Sequence, residues 1–432
     1  MKQLSDDDTH ARARRRHDAA DAIRFLYFTP SDVLIPRVDR QCIMRFCEAV
    51  ARTGTDVEVV SLDVELEFDE PTRSRDLFDV YGLATPFKVT VLPSRMRQSD
   101  DDDRGPRIWR AVAYTGYAFW KLLFRREAFK GKTSVLYFKN YLIGVSLLAL
   151  KALLRGRLLL LFEIHVPPKG RLGSFVVRRC DGVIPVSRIL GNELVEDFGI
   201  NSNRILVAHM GVDLEFVEGV RQDKRQSRQL LDLPFDKKLV VYTGKVHSWS
   251  GEIDLFLRAA ALLSPDTEMV LVGGREDHVQ ELRRRLDAEG IDNVRLVGFV
   301  APADVFHYQM AADVLVTYYP SDIALNKYRA SPGKLFEYMA VQRPIVTADY
   351  PALREVLGPD AAMFVEKDRP EELARGIDAV LADDALAARL AAQAYAGVQE
   401  FTWDKRSERV LDFVEHLQAH RAASPISEVS SR

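Results

Sequence analysis

Cysteine is scarce in this sequence, and neither a strong charge bias nor a membrane-length apolar run stands out. Three cysteines occur in 432 residues (Cys42, Cys47 and Cys180), an odd number without metal-ligand spacing. Such usage indicates free thiols in a reducing compartment and predicts no metal site. The formal net charge is −3, so no overall basic charge would attract nucleic acid. An apolar run at residues 141–154 is too short for a bilayer and is interrupted by Lys151, which predicts a core helix.

The two ends of the chain are polar. The first twenty residues carry acids and then arginines, without the apolar core of a signal peptide. We therefore expect residues 1–20 to form a disordered, solvated tail, and the composition of residues 421–432 predicts the same. With the free thiols, this indicates a cytoplasmic protein.

Length and composition indicate an ordinary globular protein with two domains. Of the residues, 47% are hydrophobic and 28% are charged. Apolar segments of strand length alternate with helical patterns in residues 21–216 and again in residues 238–400. The polar segment between them, residues 217–237, suits an interdomain linker. The predicted strands are residues 23–28, 57–62, 88–92, 135–138, 158–162, 183–186 and 205–208, then 239–243, 269–272, 294–297, 314–316, 345–347 and 363–365.

Almost every predicted strand is continuously apolar and is followed by a helical segment. This pattern indicates parallel sheets that are covered by helices on both faces. The predicted fold class is therefore α/β, with two doubly wound, Rossmann-like domains. Such sheets bind ligands outside the carboxyl ends of their strands, so we expect a site in a cleft where the two domains face each other.

The segment at residues 331–340 has the features of a helix that begins at an anion site. Ser331 is a suitable N-cap and Pro332 suits the first helical position. Gly333 and Lys334 break the usual preferences, because glycine is a poor helix former and a cation opposes the helix dipole there. Both fit if a phosphate binds the helix start, with Glu337 one turn later accepting hydrogen bonds from hydroxyls. The alternative is an ordinary amphipathic helix with solvated charges.

Several short segments resemble those of a known family in order and spacing. They are FEIH at 162–165, VS at 186–187, MGVD at 210–213, YTGK at 242–245, LVGG at 271–274, VGFV at 297–300 and the helix at 331–340. Each is weak alone, but together they resemble the GT-B-fold retaining glycosyltransferases of group 1, glycosyltransferase family 4. The resemblance is strongest at residues 239–357.

The resemblance implies a transferase that moves a sugar from a nucleotide-sugar donor to a glycan or lipid-linked acceptor. It implies retention of anomeric configuration, and it implies no metal and no cofactor beyond a donor that is UDP- or GDP-linked. The second domain would bind the donor and the first the acceptor. The helix predicted at residues 401–420 would cross back to the first domain.

Three residues are implied to act at the reacting centre. His165 resembles the family histidine that contacts the transferred sugar, Lys245 resembles the basic diphosphate contact, and Glu337 resembles the carboxylate that binds the nucleotide ribose. A buried structural histidine and a solvated loop lysine are the plain alternatives. The leaving phosphate carries negative charge, so preplaced cations and N–H groups would lower the barrier.

The donor site is implied to be built largely from main chain. Phe299 and Val300 resemble the family's turn for the base, although Phe299 could equally be a core aromatic. The full set of implied donor contacts is Gly244, Gly273, Gly274, Phe299, Val300, Ser331, Gly333, Lys334 and Leu335, the last three through their N–H groups.

The sequence departs from the family pattern at two places in the second domain. Ser250 and Gly251 stand where the family has a second lysine, and either Lys334 or His247 would have to replace that cation. Arg329 stands where the family has the first carboxylate of its Glu-x7-Glu pattern, for which Asp322 and Asn326 are the nearby candidates.

The first domain departs from the pattern in its first turn. Residues 29–37 contain no glycine, and Arg37 could contact a ligand or form a structural ion pair. The stretch at residues 107–132 is basic and rich in aromatics, which is typical of a helix on an anionic membrane surface, here the inner face. A helix of that pattern can also pack against a sheet.

Two alternatives to a transferase stay open. The chain could be a non-catalytic GT-B partner subunit or a sugar-nucleotide-binding protein, given the missing lysine and Arg329. An epimerase or a phosphorylase could share the same two halves, although the pattern at residues 331–337 fits transferases better.

Overall fold

The computed structural model describes residues 23–34, 38–66, 77–98, 116, 124, 132–154, 158–248, 250–319 and 332–423. The predictions for Arg37, Asp322, Asn326, Arg329 and Ser331, for residues 1–20, and for nearly all of residues 107–132 lie outside these ranges. Of the tail predicted at residues 421–432, residues 424–432 lie outside them too, and residues 421–423 belong to the final helix. The chain divides into two compact units, which are residues 1–209 with 403–432, and residues 210–402.

The first unit is built on a sheet of six parallel strands in the order β3-β2-β1-β4-β5-β6. Apolar runs form these strands because both faces of the sheet are covered, and all seven residues of β5 are buried. The strands are β1 (Ile23–Phe28), β2 (Asp56–Leu66), β3 (Lys88–Gln98), β4 (Thr133–Phe138), β5 (Leu158–Ile164) and β6 (Gly182–Pro185). The order reverses between β1 and β4, which is the expected position for a ligand in such a sheet.

Helices connect the strands of the first unit and cover its sheet. They are α1 (Val38–Arg52), α2 (Leu77–Tyr81), α3 (Tyr141–Leu154), α4 (Gly170–Arg179) and α5 (Arg188–Glu196). The apolar run at residues 141–154 is helix α3, as predicted. The final helix of the chain, Trp403–Ala423, belongs to this unit and packs against α1.

The second unit repeats the same topology. Its six parallel strands have the order β12-β11-β10-β7-β8-β9, so the order reverses between β7 and β10. The strands are β7 (Lys238–Thr243), β8 (Thr267–Val272), β9 (Val294–Gly298), β10 (Val314–Thr317), β11 (Ile345–Ala348) and β12 (Met363–Val365). The prediction of two doubly wound α/β domains is confirmed.

The helices of the second unit complete the alternation. They are α6 (Leu214–Gly219), α7 (Lys224–Leu230), α8 (Gly251–Ala260), α9 (Glu276–Glu289), α10 (Pro302–Ala311), α11 (Gly333–Ala340), α12 (Pro351–Leu357), α13 (Pro370–Ala382) and α14 (Asp384–Val398), and the final helix of the first unit is α15. None of the described helices is long and apolar enough to cross a membrane.

The segment expected to be a linker, residues 217–237, is instead part of the second unit. It contains the second half of α6 and all of α7, and α7 begins with a capping box between Asp223 and Gln226. The buried Arg228 anchors it by donating to the Asp313 carboxylate at 2.6 Å and to the Ala311 carbonyl at 3.0 Å. The buried guanidinium and these partners hold the segment on the second unit. The polar composition of the segment does not reveal this anchoring.

The strand predicted at residues 205–208 is also wrong. A short 3-10 turn at Ser202–Arg204 is followed by one isolated bridge, between Ile205 and Val183. The N–H groups of Leu206 and Ala208 also donate to the Val183 and Pro185 carbonyls of β6, each at 3.0 Å, so the segment lies along the edge of the sheet without forming a regular strand.

Candidate functional site

Helix α11 begins one residue later than predicted. Gly333 is its first residue, and Pro332 takes the N-cap position with an extended ψ of 120°. The N–H of Leu335, expected to face a ligand, donates to the Pro332 carbonyl at 3.0 Å, and the Leu335 side chain is buried. The N–H group that the family pattern implies as a ligand contact at Leu335 is therefore already used within the helix.

Lys334 extends from α11 to the end of β7. Its side chain is 17% exposed, its Nζ lies 3.7 Å from Glu252 Oε1, and it sits 4.0 Å from the centroid of the Tyr242 ring. A Cβ atom on Gly244 would lie only 2.6 Å from this Nζ. The ammonium group is thus held in place beside the turn that follows β7, at the point where the strand order reverses.

Two glycines allow the ends of β7 and β8 to approach each other closely. A Cβ on Gly273 would lie 1.9 Å from the carbonyl oxygen of Gly244, and the φ of Gly273 is +120°. The N–H of Gly273 donates to the Gly298 carbonyl at 2.8 Å, which joins the end of β9 to the same surface. Gly274 is similarly close, since a Cβ there would lie 2.7 Å from the Val246 carbonyl. Only glycine fits where main chain meets main chain in this way.

Glu337 is joined to the same strand end by a glutamine that the sequence did not single out. Gln309 on α10 donates from Nε2 to Glu337 Oε2 at 3.1 Å and to the Thr243 hydroxyl at 3.1 Å. Burial raises the pKa of Glu337, although the hydrogen bond from Gln309 and the charge of Lys334 oppose that shift. A carboxylate in this setting gains from additional hydroxyl donors, which a ribose would supply.

The remaining predicted donor contacts lie at the ends of β7 and β9. Lys245 is exposed in the turn after β7. Phe299 is 80% exposed directly after β9, which excludes the alternative of a core aromatic, and Val300 is partly buried beside it. An exposed aromatic ring after a strand end is available for stacking on a base.

His247 does not replace the missing second lysine as a cation. Burial lowers the pKa of His247, and the neighbouring His278 and Lys245 lower it further. Its ring lies edge-on to that of His278 with the centroids 5.0 Å apart. A histidine with a lowered pKa is neutral at pH 7, so of the two proposed substitutes only Lys334 carries charge.

The first unit contains a separate cluster of charged groups around Glu163 at the end of β5. His165 follows this strand, and its Nε2 lies 2.6 Å from Glu163 Oε1. Lys139, the first residue after β4, places its Nζ 2.9 Å from the same oxygen. Because β4 and β5 are neighbours, both groups meet at one edge of the sheet.

Two further residues fill the other oxygen of Glu163. Arg406, in the first turn of α15, donates from Nη2 to Glu163 Oε2 at 2.7 Å, and the Tyr137 hydroxyl donates to the same oxygen. Arg406 also donates to the carbonyls of Ala208 and His209. Burial alone would raise the pKa of Glu163, but Lys139 and Arg406 hold that pKa well below its usual range.

Sequence reasoning missed four of these partners, namely Lys139, Glu252, Gln309 and Arg406. For Arg406 the signal was available, because it lies on the buried stripe of α15 with Trp403, Val410 and Val414. For Gln309 the signal was also present, since it is a polar residue on the covered face of α10 beside Met310. In the described ranges no group of three or more His, Cys, Asp or Glu side chains could hold a metal ion.

Two family models match this chain. "Glycosyltransferase Family 4" matches residues 41–216, and "Glycosyl transferases group 1" matches residues 237–383. The first match includes β2 to β6 and the second includes β7 to β12, in the order of the fold. The chain belongs to the group 1 glycosyltransferases of family 4.

Curated group 1 glycosyltransferases share this chain's sequence over part of their length. A D-inositol 3-phosphate glycosyltransferase of Xylanimonas cellulosilytica is 30% identical over 59% of this chain and 62% of its own length. The enzyme of the same name from a Nocardioides strain is 26% identical over 56% of this chain and 55% of its own. The chain thus spans between half and two thirds of these relatives.

Solved structures share the fold of this group 1 glycosyltransferase along nearly the whole chain. Sucrose-phosphate synthase from Thermosynechococcus elongatus has a TM-score of 0.71 and 17% identity, covering 93% of this chain and 100% of that one. Anabaena HepE in complex with UDP and glucose has a TM-score of 0.66 and 16% identity, covering 91% and 99%. These neighbours establish the GT-B class of fold.

Proposed function

We propose that this protein transfers a sugar from a nucleotide-sugar donor to a glycan or lipid-linked acceptor. The observation that carries the proposal is the position of Lys334, whose ammonium group is held beside Gly244 at the start of α11. A helix start next to a fixed cation suits a diphosphate, which bears the negative charge that develops as the glycosyl bond breaks. Membership of the family and the named activity of the curated relatives support the same reaction.

The other parts of the donor fit around this point. Glu337, which lies one turn beyond Lys334 and accepts a hydrogen bond from Gln309, would also accept hydrogen bonds from the ribose hydroxyls. The exposed Phe299 ring would stack on the base. Of the three glycines, Gly244 would border the diphosphate beside Lys334, whereas Gly273 and Gly274 would act indirectly by letting the ends of β7 and β8 come close together. The N–H groups of Gly244 and Gly273 already donate to the Val272 and Gly298 carbonyls. A UDP-linked or GDP-linked donor is proposed, and Anabaena HepE binds UDP-glucose.

Retention of anomeric configuration and independence of metal are also part of the proposal. Both rest on the family resemblance, in which the leaving phosphate helps to deprotonate the acceptor on the same face of the sugar. Product anomer analysis by NMR tests retention. Turnover in EDTA tests metal independence, and loss of activity there would contradict it.

The decisive experiment compares two lysine substitutions, one beside the carboxyl end of β7 and one at its amino end. The protein is incubated with UDP-, GDP- and ADP-sugars, and nucleotide release is measured. Lys334→Ala should lower kcat/KM for the productive donor by roughly 10- to 100-fold, the worth of a charge-assisted contact of about 1.5–3 kcal/mol. Lys238→Ala, an exposed lysine at the amino end of β7, is the matched control and should retain wild-type turnover.

The outcomes separate the proposal from its main alternative. Wild-type kinetics in Lys334→Ala would show that the diphosphate does not bind this helix start. Tight donor binding without any release of nucleotide would favour a non-catalytic GT-B partner subunit or a sugar-nucleotide-binding protein.

A further inference from the structure

The buried carboxylate of Glu163 contacts three donors in addition to His165. An ionised carboxylate offers about four acceptor positions. Here four donors occupy them, with Lys139 and His165 on Oε1 and Arg406 and Tyr137 on Oε2. Such a carboxylate has no proton to donate and no freedom to rotate.

The contact with His165 then determines which ring nitrogen carries the hydrogen. Glu163 can only accept, so the hydrogen of the shared bond belongs to Nε2 of the imidazole. Lys139 and Arg406 already balance the charge of Glu163, so a third cation is disfavoured at this point. The ring is therefore neutral, and its Nδ1 carries a lone pair. His165 is 37% exposed, so the ring is only partly covered by the protein.

We propose that Glu163 is a positioning residue that fixes His165 as the Nε2–H tautomer, so that Nδ1 accepts a hydrogen bond from a hydroxyl group of the sugar. The inference rests on the proposed function and deepens it by assigning the polarity of the histidine contact. It also gives the final helix a role, because Arg406 of α15 donates a hydrogen bond to Oε2 of Glu163. Lys139 holds the other oxygen from the end of β4.

The charged groups that act on the imidazole come from three elements of the first unit. Glu163 comes from β5, Lys139 from the end of β4 and Arg406 from α15, with the Tyr137 hydroxyl of β4 behind them. Burial lowers the pKa of His165, and the charges of Lys139 and Arg406 act in the same direction against the opposing effect of Glu163. The neutral ring is thus the stable form at pH 7.

The first test reads the tautomer directly and needs no substrate. Protein labelled with 15N in its histidines is examined by long-range 1H–15N correlation at pH 7, and His165→Gln identifies the signals of this ring among the nine histidines. We expect a neutral ring with hydrogen on Nε2. A ring protonated on Nδ1, or an imidazolium, would overturn the proposal whatever the activity of the protein.

The second test uses a matched pair of buried carboxylates in one sheet. Glu163→Gln offers both an acceptor and a donor to the ring, so the His165 ring should no longer be held in one tautomer. The variant should lower kcat roughly 10- to 100-fold with little change in donor KM. Glu58 is the control, because it is fully buried on β2 with Arg24 at 2.9 Å and Thr90 at 2.7 Å. Glu58→Gln should cost stability but keep the His165 signals and, within about threefold, kcat.

The comparison distinguishes positioning from general support of the fold. If Glu163→Gln lowers kcat no more than Glu58→Gln at equal loss of thermal stability, or keeps the wild-type tautomer, Glu163 is structural and the proposal is wrong. If Glu163→Gln does not fold, the 15N signals of His165 in the wild-type protein decide whether the proposal holds. An inactive wild-type protein with the expected tautomer would count against the proposed function and leave the positioning by Glu163 intact.

Discussion

The contact between Gly273 and Gly244 allows a prediction in which the size of the effect follows from geometry. A methyl group at position 273 would lie 1.9 Å from the Gly244 carbonyl oxygen, which is main chain and cannot rotate away. The φ of +120° at Gly273 is in addition a conformation that side-chain-bearing residues rarely adopt. Gly273→Ala must therefore move the end of β8 away from the end of β7.

The two costs can be estimated separately. Holding alanine at such a φ costs about 1–3 kcal/mol. Relieving an overlap of this depth adds the cost of overpacking, about 1–3 kcal/mol more. The sum of about 2–6 kcal/mol is a large fraction of the ~5–15 kcal/mol that stabilises a domain. We expect the second unit of Gly273→Ala to unfold at a markedly lower urea concentration.

A control at another glycine isolates the steric part. Gly290 ends α9 with a φ of +68°, and a Cβ there meets nothing within 4 Å. Gly290→Ala should cost only the backbone term, about 1–2 kcal/mol. Urea unfolding followed by fluorescence and circular dichroism gives both values. A Gly273→Ala variant within about 1 kcal/mol of Gly290→Ala would refute the close approach of the two strand ends.

Three other outcomes follow from the described contacts. Glu337→Gln should raise both the melting temperature and the donor KM, because burial raises the pKa of Glu337 and the ionised form destabilises the fold above that pKa. A lower melting temperature with an unchanged donor KM would contradict this prediction. Phe299→Ala should leave stability within about 0.5 kcal/mol and weaken donor binding, whereas Phe235→Ala, at another exposed phenylalanine, should change neither. The pKa of Glu163 is held below its ordinary value, so its contribution to stability is present above about pH 4.3 and is lost as the pH falls through the folded-state pKa. The stability of the wild type should therefore fall more steeply with acid than that of Glu163→Gln, and parallel curves would contradict the prediction.

The fold could be predicted from the sequence because its signal is local and repeated. Continuous apolar runs predicted β1 and β12 to the residue, and an apolar run interrupted by Lys151 predicted α3 to the residue. These elements bury both faces or one broad face, so composition and period carry enough information. The family assignment was likewise confirmed, since it rests on short segments in a fixed order.

The parts that were wrong or missed depend on long-range partners. Residues 217–237 have the composition of a linker, yet Arg228 binds Asp313 across 85 positions of sequence and fixes the segment on the sheet. Arg406 reaches Glu163 across 243 positions. A single polar residue on a buried stripe indicates that a partner exists but does not say which, because helix and strand periods encode faces and not pairs.

Both units keep charged side chains at the carboxyl ends of their strands, beside the point where the strand order reverses. In the second unit Lys334 lies against Tyr242 and Glu252, and in the first Lys139 and Arg406 surround Glu163. Stability does not explain this arrangement, because apolar residues of similar size often replace buried ion pairs at no cost. Charges that are already desolvated and fixed need no reorganisation when a charged substrate binds, and in that state they lower a barrier most. Both clusters therefore suit the binding of a polar or charged substrate, which is the role proposed for them above.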